Sequence, residues 1–178
     1  MARHIVLLRG INIGSRNRVA MPALRDALEE AGFEEVSTYL QSGNVVLSSG
    51  SSADAVADRC ERVIAERFGL ELAVVTRTRA QLAAVVRRDP LGDVATNPKR
   101  YQVTFLASKL DAATVRRLKA AAAGEERLVV SGRELYAWHP NGVARSKLWT
   151  LLADRRLGVP ATSRNWSTVT SLLQLAGD

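Results

Sequence analysis

Short apolar blocks separated by polar turns set the plan of the chain. Residues 4–9 (HIVLLR) have the length and composition of a buried strand. Residues 22–31 (PALRDALEEA) begin with proline and stop at Gly32, which predicts a helix. Val36–Gln41 and Asn44–Ser48 predict two further strands joined by Ser42-Gly43, a small polar turn suited to a tight hairpin. After the Ser/Gly segment 48–52, Ala57, Cys60, Ile64 and Phe68 recur at helical spacing within 53–68, and Leu70–Thr76 supplies a fourth strand. The order βαββαβ is the split-βαβ plan of ferredoxin-like folds.

The plan then starts again. Gln81–Arg88 predicts a helix ended by Asp89-Pro90, and the stretch through Asn97-Pro98 a linker. Tyr101–Ala107 reads as a strand and Asp111–Ala122 as a helix stopped by Gly124. Glu126–Val130 and Glu134–Trp138 form a hairpin turning at Ser131-Gly132-Arg133. Ser146–Leu157 is an amphipathic helix closed by Gly158, Ala161–Ser163 a short strand, and Ser167–Ala176 a last helix. Residue identity between the halves is negligible, so the repeat is one of element order. The expected fold class is α+β, two ferredoxin-like (βαββαβ) units in tandem, packed together. Residues 1–78 form the first half, 79–100 a helix and linker, and 101–178 the second half with an extra C-terminal helix. A single larger mixed sheet is the alternative that the pattern leaves open.

Topology converts spacing into proximity. In a split βαβ unit the first and second strands run in the same direction, with the third between them and antiparallel to both. The turn after strand one (Arg9-Gly10-Ile11-Asn12-Ile13-Gly14) and the hairpin Gln41-Ser42-Gly43-Asn44 should therefore meet at one sheet end. Ser15-Arg16-Asn17-Arg18 adds two cations. Glycine-rich turns with free N–H groups beside arginines can cradle a phosphate or carboxylate. The segment GINIG lacks the third glycine of a dinucleotide fingerprint, and no Walker-type GK[ST] occurs. The competing reading is local: Gly10 and Gly14 supply positive φ, while Asn12 and Asn44 hydrogen-bond their own turns.

A second polar constellation comprises Ser146-Lys147 and the run Thr162-Ser163-Arg164-Asn165-Trp166-Ser167-Thr168. The topology puts Ser146 and Arg164 at one end of the second half. Adjacent residues of a helix point in different directions, so Ser146-Lys147 is not a nucleophile pair, and Ser146 reads as a helix cap. Asn165 or Ser167 can cap the last helix, and Trp149 and Trp166 read as core anchors. Arg164 is the member that capping does not explain. A shared ligand site would require the two constellations to converge between the halves.

Composition changes this picture little. The 178 residues, 47% apolar with a net charge of +7, describe a folded protein of one domain or two small ones. The arginines mostly alternate with Asp and Glu along helices, as in Arg59-Cys60-Glu61-Arg62, which makes solvated faces and not a nucleic-acid stripe. The absence of a signal-peptide core and of a membrane-length apolar run gives a cytoplasmic expectation. Cys60, the single cysteine, lies on an apolar helical face and reads as a buried, inert thiol. His4 and His139 fall in opposite halves, no metal-ligand spacing appears, and neither a metal nor a cofactor is implied. His139-Pro140-Asn141-Gly142 reads as a turn. Tyr101, Phe105, Tyr136 and Trp138 stand where an RNA-recognition sheet places its stacking aromatics, but Tyr101, Val103 and Phe105 share a face expected to pack on helices.

The run LLRGINIGSRNRVAMPALRDALEEAGFEEVSTYLQSGNVVL, with SKLWTLLADRRLGVPATSRNWSTVTSLLQLA near the end, resembles the bacterial family known only as domain of unknown function 1697. The resemblance runs over essentially the whole chain and rests most on Arg9–Gly14, Tyr39–Asn44, Ser146-Lys147-Leu148 and Arg164–Thr168. Ser15 stands where the family often has glycine. The resemblance implies paired ferredoxin-like units and supplies no mechanism. The resulting expectation is a binding module for a small anionic or polar ligand. Its candidate residues are Arg9, Gly10, Asn12, Gly14, Arg16, Gln41, Ser42, Gly43, Asn44, Lys147, Arg164, Asn165 and Trp166. A nucleic-acid binder using basic loops, and an enzyme acting on a phosphorylated or acyl substrate, are the alternatives; no residue set is recognisably catalytic. Monomer and homodimer are equally open.

Overall fold

A computed structural model describes residues 1–177. The elements are β1 (Ala2–Leu8), α1 (Met21–Glu30), β2 (Glu34–Tyr39), β3 (Asn44–Ser49), α2 (Ala53–Phe68), β4 (Val74–Thr78) and α3 (Arg79–Arg88). They continue as β5 (Tyr101–Leu106), α4 (Ala112–Ala121), β6 (Arg127–Ser131), β7 (Glu134–Trp138), α5 (Lys147–Leu152), β8 (Ala161–Asn165) and α6 (Trp166–Leu175). The strands make two four-stranded antiparallel sheets, in the orders β2-β3-β1-β4 and β6-β7-β5-β8. Each is the βαββαβ plan, so the fold is α+β with the ferredoxin-like pattern written twice.

The chain divides into two compact units, residues 1–84 with the C-terminal stretch from Leu172, and Val85–Ser171. The last helix was expected to belong wholly to the second half. Its end instead joins the first unit, where Arg3 Nε donates to Ala176 O and Arg79 Nε to Gly177 O. Backbone carbonyl acceptors carry no residue-type signal, which is why the pattern misses this.

In the first unit, strand alternation sends Val6, Leu8, Val45, Leu47 and Val74 to one sheet face. Leu24 and Leu28 of α1 and Val56, Cys60 and Ile64 of α2 close it. Helix α2 is bounded as its sequence demands: the Ser52 side chain accepts from Ala55 N, and Gly69 ends it at φ 65. In the second unit α4 and α5 bring Leu118, Leu148 and Leu152 onto Leu106, Leu135 and Ala137.

The aromatic face of the second sheet is closed by other helices. Tyr136 Oη donates to Val85 O at 3.0 Å, Tyr101 Oη to Asp89 Oδ1 at 3.0 Å, and Trp166 stacks on Tyr101 at 4.7 Å. Tyr101, Phe105, Tyr136 and Trp138 are all buried, so none offers a ring for base stacking.

Several boundaries differ from the pattern. The first hairpin turns through four residues, Leu40–Gly43, with Leu40 (φ 59) and Gly43 (φ 77) both left-handed, not through Ser42-Gly43 alone. Helix α5 stops at Leu152 and not Leu157, because Asp154 Oδ1 accepts from Arg156 N and turns the chain. Strand β4 starts at Val74, whose N–H donates to Glu61 Oε1, and β8 extends to Asn165.

The repeat reaches individual backbone bonds. Leu8 N donates to Gly43 O at 2.9 Å, and its counterpart Leu106 N donates to Arg133 O at 2.9 Å. Arg9 N donates to Ala73 O at 3.0 Å, as Ala107 N does to Pro160 O at 2.9 Å.

Candidate functional site

Antiparallel pairing of β1 with β3 and of β3 with β2 brings the two signature loops of the first unit together. The register ends at Leu7 opposite Asn44. Beyond it, Asn12 joins the loops: Nδ2 donates to Gln41 O at 2.8 Å and to Val19 O at 2.9 Å, while Oδ1 accepts from Val19 N at 2.7 Å. Asn17 Nδ2 donates to Gly10 O at 2.9 Å, and Ile13 bridges Arg16. Asn12 (φ 52) and Asn17 (φ 50) are left-handed, a conformation that asparagine tolerates well.

This geometry sorts the candidates. Asn44 is fully buried, and its Nδ2 donates to Tyr39 O and Ser42 Oγ, both at 3.0 Å. A Cβ on Gly43 would lie 2.5 Å from Ile11 Cγ2 and 2.8 Å from Leu8 Cβ, so the residue is a packing requirement. Gly14 (φ 55) has open space and is needed for its dihedral alone. Asn12, Gly43 and Asn44 therefore build the platform of the two loops. Arg9 and Gly10 are half-buried. The groups presented to solvent are Gly14, Arg16, Arg18, Gln41 and Ser42. Arg18 Nη1 donates to Gly14 O at 3.0 Å, whereas Arg16 has no ion pair or side-chain hydrogen bond among the described residues. Ile13 (63% exposed) and Leu40 (57%) stand among them.

In the second unit most C-terminal candidates have structural partners. Asn165 Oδ1 accepts from Thr168 N at 2.9 Å and caps α6. Trp166 is the ring stacked on Tyr101. Arg164 is half-buried and donates to Thr162 Oγ1 at 2.7 Å and Ser163 O at 2.8 Å; loss of solvent pushes its pKa down to about 10. Lys147 is exposed at the first turn of α5, next to Ser146, whose Oγ caps the helix by accepting from Trp149 N at 3.0 Å.

Sequence reasoning missed one cluster in this unit. His139 is fully buried, with Nδ1 2.6 Å from Glu126 Oε2, and Ser146 Oγ donates to the same oxygen at 2.6 Å. Ala123 N completes the carboxylate's partners through Oε1 at 3.2 Å. Burial pushes the Glu126 pKa up, but the bonds from Ser146, His139 and Ala123 outweigh it and leave the carboxyl below its ordinary value. Nδ1 must carry the proton that faces Glu126, and Nε2 lies buried with no hydrogen-bond partner among the described residues. A hydrolytic triad requires the serine on one ring nitrogen and the carboxylate on the other; here both face Nδ1, so the trio is a strap and not a relay. A signal existed in the hairpin register. Arg127 pairs with Trp138, and one more step puts Glu126 opposite His139.

The family described as "Protein of unknown function (DUF1697)" matches residues 1–136. The match covers both loops of the first unit and ends before Ser146-Lys147 and Arg164–Thr168, a shorter span than the resemblance suggested. A solved structure of the conserved bacterial protein SP0830 from Streptococcus pneumoniae is similar, with a TM-score of 0.80 and 22% identity over 98% of each chain. That likeness carries the fold alone. No curated protein matches the chain. Among the described residues no helix is long and apolar enough to cross a membrane.

Proposed function

The chain belongs to the family of unknown function 1697, and because that membership assigns no activity, we propose from the site itself that the protein is a binding module for a small anionic ligand at the loops of its first unit. The second unit supports this as an internal control. It joins strand to helix at the equivalent place with residues 107–111, whereas the first unit uses residues 9–20. Both make the same two backbone bonds at that sheet end, so the strand-end pairing does not need the longer segment, of which only Ile11 and Val19 pack into the core. The longer segment is nevertheless held firmly by Asn12 and Asn17, with Asn12 bound to Gln41 O, and presents Arg16 and Arg18 to solvent at the sheet end that also exposes Gln41 and Ser42. Loops positioned by a rigid sheet are where recognition groups concentrate. Two guanidinium groups with amide and hydroxyl donors suit a phosphate or carboxylate.

A thermal-shift screen with inorganic phosphate, nucleoside monophosphates and sugar phosphates tests the reading. Stabilisation by at least one of these anions is expected, with loss of the shift in Arg16→Ala and Arg18→Ala. Both side chains are exposed, so the variants fold as the parent does. An anion-induced shift that survives both substitutions removes the proposal, as does no shift with any anion in the screen.

A further inference from the structure

The second unit carries a separate groove, remote in sequence from the loops just described. It has a volume of about 410 Å³ and runs between the end of α4 and the start of α5. Ala121, Ala144 and Leu151 form an apolar wall, and Arg145, Ser146, Lys147 and Thr150 line the rest. The two cations flank Ser146, the residue that Glu126 and His139 lock in place, so the backbone bearing them is fixed. Arg145 and Lys147 are exposed and have no ion pair among the described residues. Thr150 Oγ1 spends its proton on Ser146 O at 3.0 Å and can only accept from a ligand. Glu126, the acid of that strap, lines an adjoining cleft of about 540 Å³ that shares Ala144, Arg145 and Ser146 with the groove. Its oxygens are hydrogen-bonded by Ala123, Ser146 and His139, and among the described residues it makes no ion pair with Arg145.

We propose that this groove binds an amphipathic anion, with a carboxylate or phosphate head held by Arg145 and Lys147 and a short aliphatic tail laid on Ala121, Ala144 and Leu151. The apolar wall requires the tail, and the unpaired cations require the negative head. Repulsion from Glu126 keeps that head on the Lys147 side. Pockets of this size accept small organic ligands.

An NMR titration of the full chain with sodium octanoate tests the assignment, with butyrate, inorganic phosphate and octylammonium as comparators. Octanoate should give saturable shifts at Ala121, Ala144, Lys147 and Leu151. Butyrate and phosphate should bind at least tenfold more weakly, the first for want of a tail and the second for want of any apolar part. The double variant Arg145→Ala/Lys147→Ala should lose at least tenfold in octanoate affinity while keeping the rest of its spectrum. Arg16→Ala should bind octanoate as the parent does, which separates this site from the loops of the first unit. Octylammonium binding as tightly as octanoate, an unchanged double variant, or shifts confined to other residues would each overturn the proposal.

Discussion

Asn12 is the residue on which the loop platform depends, and replacing it measures how firmly the two loops are joined. Its side chain makes three hydrogen bonds, two with Val19 and one with Gln41 O. At about 1 kcal/mol net for each, their loss costs about 3 kcal/mol at most, because the site is only half-buried and water can replace part of it. The backbone adds to this. At φ 52, alanine is strained by about 1 kcal/mol, whereas glycine is not. Asn12→Ala should therefore destabilise by about 3–4 kcal/mol and Asn12→Gly by about 2–3 kcal/mol, the difference isolating the dihedral. For a chain of this size that is a fall in Tm of roughly 6–16 °C for the alanine variant. If the segment undocks locally before the unit unfolds, the loss in Tm is capped, and native-state hydrogen exchange reports the local cost instead. The amide of Val19, which donates to Asn12 Oδ1, is the probe. Unchanged protection of that amide in Asn12→Ala, together with a Tm within 1 °C of the parent, would refute the claim that Asn12 holds the loops together.

Three other substitutions or conditions follow from the same geometry. Gly43→Ala places a methyl 2.5 Å from Ile11 Cγ2 at φ 77, so a loss of about 2–4 kcal/mol in urea denaturation is expected; an unchanged midpoint contradicts the close packing of the hairpin. Glu126 is held below its ordinary pKa in the folded state, so the unfolded chain takes up its proton first as pH falls. The stability it contributes is present above the ordinary carboxylate range and lost as pH drops through the folded pKa. Glu126→Gln should cost about 1–3 kcal/mol at pH 7 and flatten that part of the acid-denaturation curve; identical pH profiles for both proteins contradict the strap. Cys60 is fully buried, with burial pushing its thiol up to about 12, so a disulfide reagent should label it only at the rate of unfolding. Rapid labelling in native buffer rules out this placement.

What could be read from the sequence, and what could not, divides along the range of the interactions. Helix α2 and strand β7 match their expected limits, because apolar spacing and the Ser/Gly-rich turns that precede them are local signals. The meeting of the two loops followed from strand direction alone, since topology fixes which strand ends are neighbours. The roles of the individual loop residues were harder to read. An exposed-looking polar motif such as Gln41-Ser42-Gly43-Asn44 reads the same whether its side chains face a ligand or their own backbone; here Asn44 faces inward and Gln41 outward. Helix α5 ran too long in the pattern because Leu157 continues its apolar spacing, while the Asp154 side chain that ends it competes locally for the backbone. The Glu126–His139–Ser146 strap lay hidden because its members are scattered in sequence and only the hairpin register joins two of them.

The two units differ most where their shared plan demands least. Both anchor the end of the first strand with the same pair of backbone bonds, and both cover one sheet face with two helices. The first unit inserts residues 9–20 at that end; the second keeps 107–111 there and places its groove between α4 and the loop before α5. A repeat constrained only by packing would let the stretch 12–18 between the buried Ile11 and Val19 shrink, since loop residues that are ordered without burying apolar area cost conformational entropy. The segment is ordered all the same, through three asparagine-side-chain bonds to backbone carbonyls and a left-handed residue at each of Asn12 and Asn17. Ile11 and Val19 anchor the segment in the core, but the ordered stretch 12–18 between them adds no buried side chain. Its effect is to hold Arg16 and Arg18 in solvent, and this is the physical reason to look for the ligand there.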